Sequence, residues 1–497
     1  MKIKTVKISK FRAIDHLEIN LKDLSLLIGN NGTGKTSIIE AINYCFSKSF
    51  LTSKIKYTDF YNGCNEPIKI EILFDGDFGV DVVDGYTTRQ IPCNGVYLEI
   101  KKREKATAGK FLSDPFVITH YYTPNKPKDN DKGWEYKRGT NSIFKISERH
   151  LGVQQPVDSS YPVCVYLSKN RDRQLGKGFG SSMTDIIDDF NWKFARKIKE
   201  ETEDGYKNFI SNKKGYEDAI FERIDKETYK KIFKSLGDIL EEYKIYDVGL
   251  SLFNANAPFS EAFISQKHSD LDLPISQLGS GMEMIVSLMF LDVLASQSNN
   301  KLLILIDEPE LHLHPIYQEI LIKYLISRSK DNQVVLSTHS PYFYKNCLDN
   351  QCIQLLVSKK ESDLIKIEET QDGNFGLFPW SPSWGEINYY AYNLPTVEFH
   401  NELYGYIQSD ILNTDNTTKT DEEFLKGGCQ VNYPWIKQNN NNTTTNQCLT
   451  LMSYIRHYIH HPENRHNKKY TDKELKESIE WMIQFINQNN KKQNKTP

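Results

Sequence analysis

The sequence predicts an α/β fold: a mixed sheet with flanking helices and an antiparallel layer, a helical arm inserted into it, and an α-helical C-terminal region. Three observations predict it. An apolar run, Leu24 to Ile28, enters a glycine-rich turn and then a segment with helical apolar spacing, Ser37 to Phe46. Two more apolar runs, LLILI at 302–306 and QVVLS at 333–337, alternate with helical text from Ser276 to about Val357, as the buried strands of a parallel sheet do. Short strands at 68–74 (IKIEILF) and 95–100 (GVYLEI) suit an antiparallel sheet layered on that core.

At 497 residues the chain exceeds one ordinary core. Two domains are expected, residues 1–345 with the arm at about 185–250 inserted, and residues 346–497. Hydrophobic residues make up 39% and aromatics 12%, which is enough core material to exclude a disordered chain. A net charge of -3 gives no global field for nucleic acid, so any such surface must be local. The local candidates are Lys101, Lys102, Arg103, Lys105 and Lys110, then Arg171, Arg173 and Lys177. Eight cysteines are scattered without a C-x-x-C pair and are expected to be reduced thiols. The first residues lack an apolar signal core, and no run of 18 apolar residues occurs, so a cytoplasmic chain without membrane insertion is expected.

The elements follow in order. Ile3, Val6, Ile8 and Phe11 alternate with lysines, which predicts a strand before the Leu24–Ile28 run. Residues 104–160 are rich in Lys, Asn, Gly and Pro and read as loops. From about Asp185 to Tyr243 the text is charged and helical, without the sustained heptad of a long coiled coil. An aromatic stretch (378–406) precedes an Asn/Thr-rich tract (412–447), which is expected to be a flexible loop. A final helical pair closes the chain, its second helix opened by Thr471 and Glu474 as a capping box.

Gly29, Asn30, Asn31, Gly32, Thr33, Gly34, Lys35 and Thr36 match G-x-x-x-x-G-K-[ST] between strand and helix, with Ser37 opening the helical text. The glycines let backbone N–H groups turn inward around phosphates at the positive end of the helix. Lys35 is expected to reach the β and γ phosphates of ATP and Thr36 to ligate Mg²⁺. The strand LLILI places Asp307 and Glu308 at its C-terminal edge, where ligands bind in open parallel sheets. Asp307 is assigned to Mg²⁺, which leaves Glu308 to polarise the attacking water.

Between these motifs stands Gln277-Leu-Gly-Ser280-Gly281-Met-Glu283 before a long apolar helix. It resembles the ABC signature, in which a Ser and Gly at a helix N-terminus face the γ-phosphate held by another subunit. Glu310-Leu-His312-Leu-His314-Pro315 stands where that family has its D-loop, and Ser337-Thr338-His339-Ser340 where it has the switch histidine. With Phe11-Arg12 closing the first strand, the set resembles the P-loop ATPases of the SMC and overcoming-lysogenization-defect (OLD) class, firmly over residues 1–60 and 270–345. The resemblance implies a head that dimerises around two ATP molecules, with His339 contacting the γ-phosphate and Ser280 and Gly281 closing the partner's site. Met-Glu follows Ser280-Gly281 where relatives often carry Gln, and the Q-loop has no motif of its own; Gln174 is its candidate.

Toprim nucleases need a D-x-D pair, and none follows His339. The tail carries Trp380-Ser-Pro-Ser-Trp384-Gly-Glu386, Pro395-Thr-Val-Glu398-Phe-His400 and Ile455-Arg456-His457-Tyr-Ile-His460-His461-Pro-Glu463-Asn464. With the head, it resembles the ATPase subunits of Septu antiphage systems, which implies an HNH endonuclease partner. Two other uses stay open. Arg456 and His461 match the R-x4-6-H pattern of HEPN ribonucleases, and basic residues near 101–103 would suit an ATPase clamp on DNA.

Overall fold

The computed structural model describes residues 1–46, 51–84, 87–102, 116–124, 160–169, 226–246, 248–251, 263–268, 271–274, 280–297, 301–311, 313–345, 347–348, 353–361, 364–370, 375–438 and 444–493. They fall in two compact units, Met1–Ile367 and Glu368–Pro497.

The first unit is organised by one helix, α1 (Lys35–Phe46), packed between two sheets. One is antiparallel, in the order β2 (Ile14–Asn20), β1 (Ile3–Phe11), β4 (Ile68–Asp84), β5 (Thr87–Lys102), β6 (Phe116–Pro124). The other has the order β14 (Leu364–Glu369), β13 (Ile353–Glu361), β3 (Leu24–Ile28), β12 (Gln333–Ser337), β11 (Leu302–Asp307), β7 (Val163–Leu167). From β13 to β7 every pairing in it is parallel. Two-sided cover explains the sequence text: Ile38, Ile39, Ala41, Ile42, Tyr44, Cys45 and Phe46 are all buried, because opposite faces of α1 meet different sheets. It also explains why β3, β11 and β12 are buried at every position rather than at alternate ones.

Helix α2 (Lys226–Glu242) and the antiparallel strands β8 (Val248–Ser251), β9 (Phe263–His268) and β10 (Leu271–Pro274) lie in the expected arm and just beyond it; residues 185–225 of that arm lie outside the described residues. Helices α3 (Ser280–Gln297) and α4 (Pro315–Arg328) flank β11 in sequence. Buried Asp292 of α3 accepts from Tyr324 Oη (2.9 Å) and Asn332 Nδ2 (2.9 Å) and pairs with Arg328 (3.0 Å). Asn332 Oδ1 in turn accepts from Leu302 N at 3.0 Å, so one carboxylate ties both helices to the start of β11.

The expected boundary at 345 is too early. Strands β13 and β14 add to the edge of the six-stranded sheet beside β3, and the compact unit runs to Ile367.

The second unit holds helices α5 (Trp384–Tyr392), α6 (Val397–Tyr406), α7 (Thr417–Lys426), α8 (Leu451–His460) and α9 (Asp472–Gln493) around Phe399, Leu403, Tyr404, Phe424, Ile455 and Ile479. Side-chain caps set the helix starts: Ser383 with Glu386, Thr396, Asn416 and Thr450 each accept a backbone N–H, and Thr471 with Glu474 makes the expected box. The tract at 412–447 is not simply a flexible loop, as expected from its composition. It contains α7 and most of an antiparallel hairpin, β15 (Tyr433–Gln438) with β16 (Thr444–Leu449). Trp435 is 1% exposed in the core, and Asn464 and Asn467 donate to Ile436 O at 2.8 and 3.0 Å, which anchors the polar hairpin from a distant loop. Among the described residues the cysteines are free, and no helix is long and apolar enough to cross a membrane.

Candidate functional site

The C-terminal edge of the parallel sheet gathers the motif residues. The loop from Gly29 to Gly34 leaves β3 with positive φ at Gly29 (137°), Gly32 (76°) and Gly34 (92°), a backbone that L side chains rarely adopt. At Gly29 a Cβ would come 2.3 Å from Ser358 O on β13, so only glycine fits there. Ser358 Oγ also donates to Thr33 O at 2.6 Å, and Thr33 Oγ1 to Asn30 O at 2.9 Å, which preforms the loop. Its crown, Asn30, Asn31 and Gly32, is exposed.

Lys35 is the first residue of α1 and folds back on the loop, donating from Nζ to Gly29 O (2.9 Å) and Asn30 O (2.7 Å). It is 4% exposed, and burial pushes its ammonium down to about 8, against the opposing pull of Glu308, Asp307 and Glu310. The lysine therefore stands where an anion would relieve it. Thr36 Oγ1 donates to Asp307 Oδ1 at 3.1 Å, and Ser337 Oγ donates to the same oxygen at 2.5 Å. Asp307 is 2% exposed, and its other oxygen, Oδ2, is buried with no hydrogen-bond partner among the described residues. A hydroxyl and an unsatisfied carboxylate oxygen side by side are hard ligands, and they fit Mg²⁺.

Glu308 follows in the left-handed region, φ 49°, which a non-glycine residue adopts at a cost of order 1–3 kcal/mol and which is typical of functional positions. Its N–H donates to Ser337 O (3.2 Å) and lies 3.1 Å from Ser337 Oγ, which holds this turn in place. The carboxylate stands 3.5 Å from His339 Nε2. Glu310 Oε1 accepts from His339 N at 2.5 Å, which fixes the backbone of the histidine. Burial, then the charge of Lys35, lowers the His339 imidazole below its ordinary value, and burial raises the carboxyl of Glu310. The His339 imidazole and the Glu308 carboxylate thus sit beside the Thr36–Asp307 pair.

Helix α3 begins at Ser280 with Gly281 buried behind it, so the serine and glycine do stand at a helix N-terminus. His314 Nδ1 accepts from Ile316 N at 3.4 Å as the N-cap of α4, a local structural role. His312, Gln277 and Gln174 lie outside the described residues. Beside α1 is a cavity of about 1110 Å³ walled by Arg12, Glu40, Asn43, Tyr44, Asp59 and Tyr166. Arg12 pairs there with Glu40 and with Asp59 (2.8 Å), which locks the β1–β2 turn to α1.

Sequence reasoning did not assign Ser337 a role, although it stands two residues before His339, and it did not see that β7 ends at this edge. VCVYL at 163–167 carried the strand signal.

Among the described residues, the other candidates have local partners. Lys102 Nζ is spent on Gly63 O (2.8 Å) and Cys64 O (2.6 Å), and Lys101 pairs with Glu99. Arg103, Lys105, Lys110, Arg171, Arg173 and Lys177 lie outside the described residues. Arg456 donates to Asn401 Oδ1 at 2.9 Å and lies over the Tyr404 ring. His460, four residues on, shares its helix face and feels its charge, whereas His461 caps the helix end with Glu463 at 3.2 Å and neighbours His457.

Residues 1–344 match the family model described as AAA ATPase domain. The OLD nuclease of Thermus scotoductus is 22% identical over 352 residues, which cover 69% of this chain and 59% of that protein, so the match spans about three-fifths of the relative's length. Septu protein PtuA of Bacillus thuringiensis is 23% identical over 399 residues, 76% of this chain and 81% of that protein. Among solved structures, the Smc head domain of Pyrococcus furiosus bound to the C-terminal domain of ScpA has a TM-score of 0.44 at 12% identity, covering 74% of this chain and 96% of that one.

Proposed function

The chain belongs to the AAA ATPase domain family, and from that premise we propose that two copies close around Mg-ATP and that the dimer gates an HNH endonuclease in a cytoplasmic antiphage defence complex. The single observation that carries the hydrolytic part is Glu308: a strained backbone, a carboxylate 3.5 Å from His339, and the Thr36–Asp307 pair one residue away. In this reading Lys35 gives up the carbonyls of Gly29 and Asn30 for phosphate oxygens. Glu308 orients the attacking water and takes its proton, and His339 contacts the γ-phosphate. Thr36 and Asp307 would hold Mg²⁺, which supplies charge neutralisation between the phosphates.

Closure on a second copy is supported by two features next to this edge. Leu311 and Ile316, on either side of the turn after Glu308, are 38% and 60% exposed, which is apolar surface suited to a partner. Ser280 and Gly281 open α3 and offer backbone N–H groups to a phosphate held by the other copy. The defence role is supported by the similarity to Septu protein PtuA along most of both chains, and the second unit is the part proposed to hold the nuclease. Free cysteines fit a reducing compartment.

The partner reading is tested by co-expressing the chain with an HNH endonuclease encoded beside it and purifying through a tag on either protein. A complex that survives size exclusion with or without ATP is expected. Complete separation in both nucleotide states would remove the defence reading.

A further inference from the structure

Strand β12 runs between the strand that leads into the phosphate loop and the strand that ends in Asp307. Its last residue, Ser337, is in register with Leu27 of β3 on one side and with Asp307 of β11 on the other. Ser337 is 0% exposed, and the next backbone group, Thr338 N, donates to Leu27 O at 3.0 Å, so its hydroxyl is carried on a strand fixed from both sides. That hydroxyl donates to Asp307 Oδ1 at 2.5 Å and lies 3.1 Å from Glu308 N. Thr36 Oγ1 donates to the same Oδ1 at 3.1 Å. Two donors thus fill one oxygen of the carboxylate and fix its orientation. The other oxygen, Oδ2, is left buried and without a hydrogen-bond partner among the described residues. With its proton given to Asp307, Thr36 Oγ1 keeps its lone pairs for a cation.

We propose that Ser337 is a positioning residue for the metal: by occupying Oδ1 of Asp307 it turns the carboxylate so that Oδ2 is the oxygen offered to Mg²⁺. The role rests on the ATP site proposed above and adds to it a residue that acts on the ion through Asp307. A purely structural hydroxyl would behave differently, because both of its neighbours keep a second partner without it. Asp307 Oδ1 retains the Thr36 hydroxyl, and Glu308 N retains the Ser337 carbonyl at 3.2 Å. Removing the hydroxyl therefore leaves β12 paired and the phosphate loop in place, and frees the carboxylate to rotate.

The test is calorimetric titration of the full chain with a non-hydrolysable ATP analogue, in EDTA and at a series of Mg²⁺ concentrations. Wild type is compared with Ser337→Ala, with Ser337→Cys, which keeps the volume and loses the strong donor, and with Asp307→Asn alone and combined with Ser337→Ala. The Mg²⁺ concentration giving half of the gain in affinity should rise about tenfold or more in the Ala and Cys variants, as for other partners that orient a metal's carboxylate. Affinity in EDTA, and affinity at saturating Mg²⁺, should stay within about twofold of wild type. In the Asp307→Asn background, Ser337→Ala should move the Mg²⁺ requirement by less than about twofold, because the residue it acts through is gone. An unchanged Mg²⁺ requirement in both single variants would overturn the proposal. So would a loss in EDTA as large as that in Mg²⁺, or a full further shift on top of Asp307→Asn. Wild-type protein that binds no analogue in either condition would overturn the ATP site itself and this residue's role with it.

Discussion

Replacing Gly34 by alanine tests whether the phosphate loop is held by its neighbours or only by its own sequence. At φ 92° an added Cβ would stand 2.4 Å from Ile365 Cδ1, while the remaining Ile365 atoms near it are at 3.5 Å. Two costs follow. Backbone strain at a positive φ is of order 1–3 kcal/mol, and overpacking against a side chain that is only 5% exposed adds about 1–3 kcal/mol. Only the second cost depends on Cδ1, which Ile365→Val removes at its own cost of about 0.5–1.5 kcal/mol. A double-mutant cycle should therefore show Gly34→Ala losing stability and Mg-ATP affinity, and Gly34→Ala/Ile365→Val recovering about 1–3 kcal/mol relative to the sum of the singles. Urea unfolding followed by a probe in the first unit, together with nucleotide titration, reads both. Strict additivity, or a Gly34→Ala protein that binds ATP like wild type, would refute the loop geometry.

Two more outcomes follow from the same structure. Lys35→Ala should abolish nucleotide binding by calorimetry while leaving the circular dichroism spectrum unchanged, because the ammonium is a buried positive charge held on the carbonyls of the Gly29–Gly34 loop, where the proposed phosphates would take it over. Acid should loosen each unit through one buried histidine: burial pushes His120 and His400 down to about 3, so the unfolded chain binds more protons below about 6.5, and stability is full above that pH and lost as pH falls towards 3. From pH 7 to pH 5 the loss is about 2 kcal/mol per histidine, read as the part of the shift in urea midpoint that disappears in His400→Gln for the second unit and His120→Gln for the first.

The candidate site was legible because its residues are contiguous in sequence: 29–36 form the glycine turn that leaves β3, and 307–308 end a strand whose apolar text is unmistakable. The strands that complete it were less so. β7 stands amid loop-rich text and pairs with β11 across more than a hundred residues, while β13 and β14 extend the sheet beyond the last motif. No local pattern announces either event. The hairpin of the second unit was missed for a related reason: Trp435 supplies its core anchor, but Asn464 and Asn467, which fix its backbone, come from beyond α8. Polar composition there signalled hydrogen bonding rather than mobility. Arg456 and His461 matched a spacing, and in the fold each has a local partner, Asn401 and Glu463.

The most direct test is Glu308→Gln with Mg-ATP, followed by turnover and by light-scattering mass. The account predicts a rate lower by roughly 10²-fold or more and an ATP-dependent species of twice 57.7 kDa that falls apart when nucleotide is removed. Turnover at the wild-type rate, or a species that ignores ATP, would contradict it.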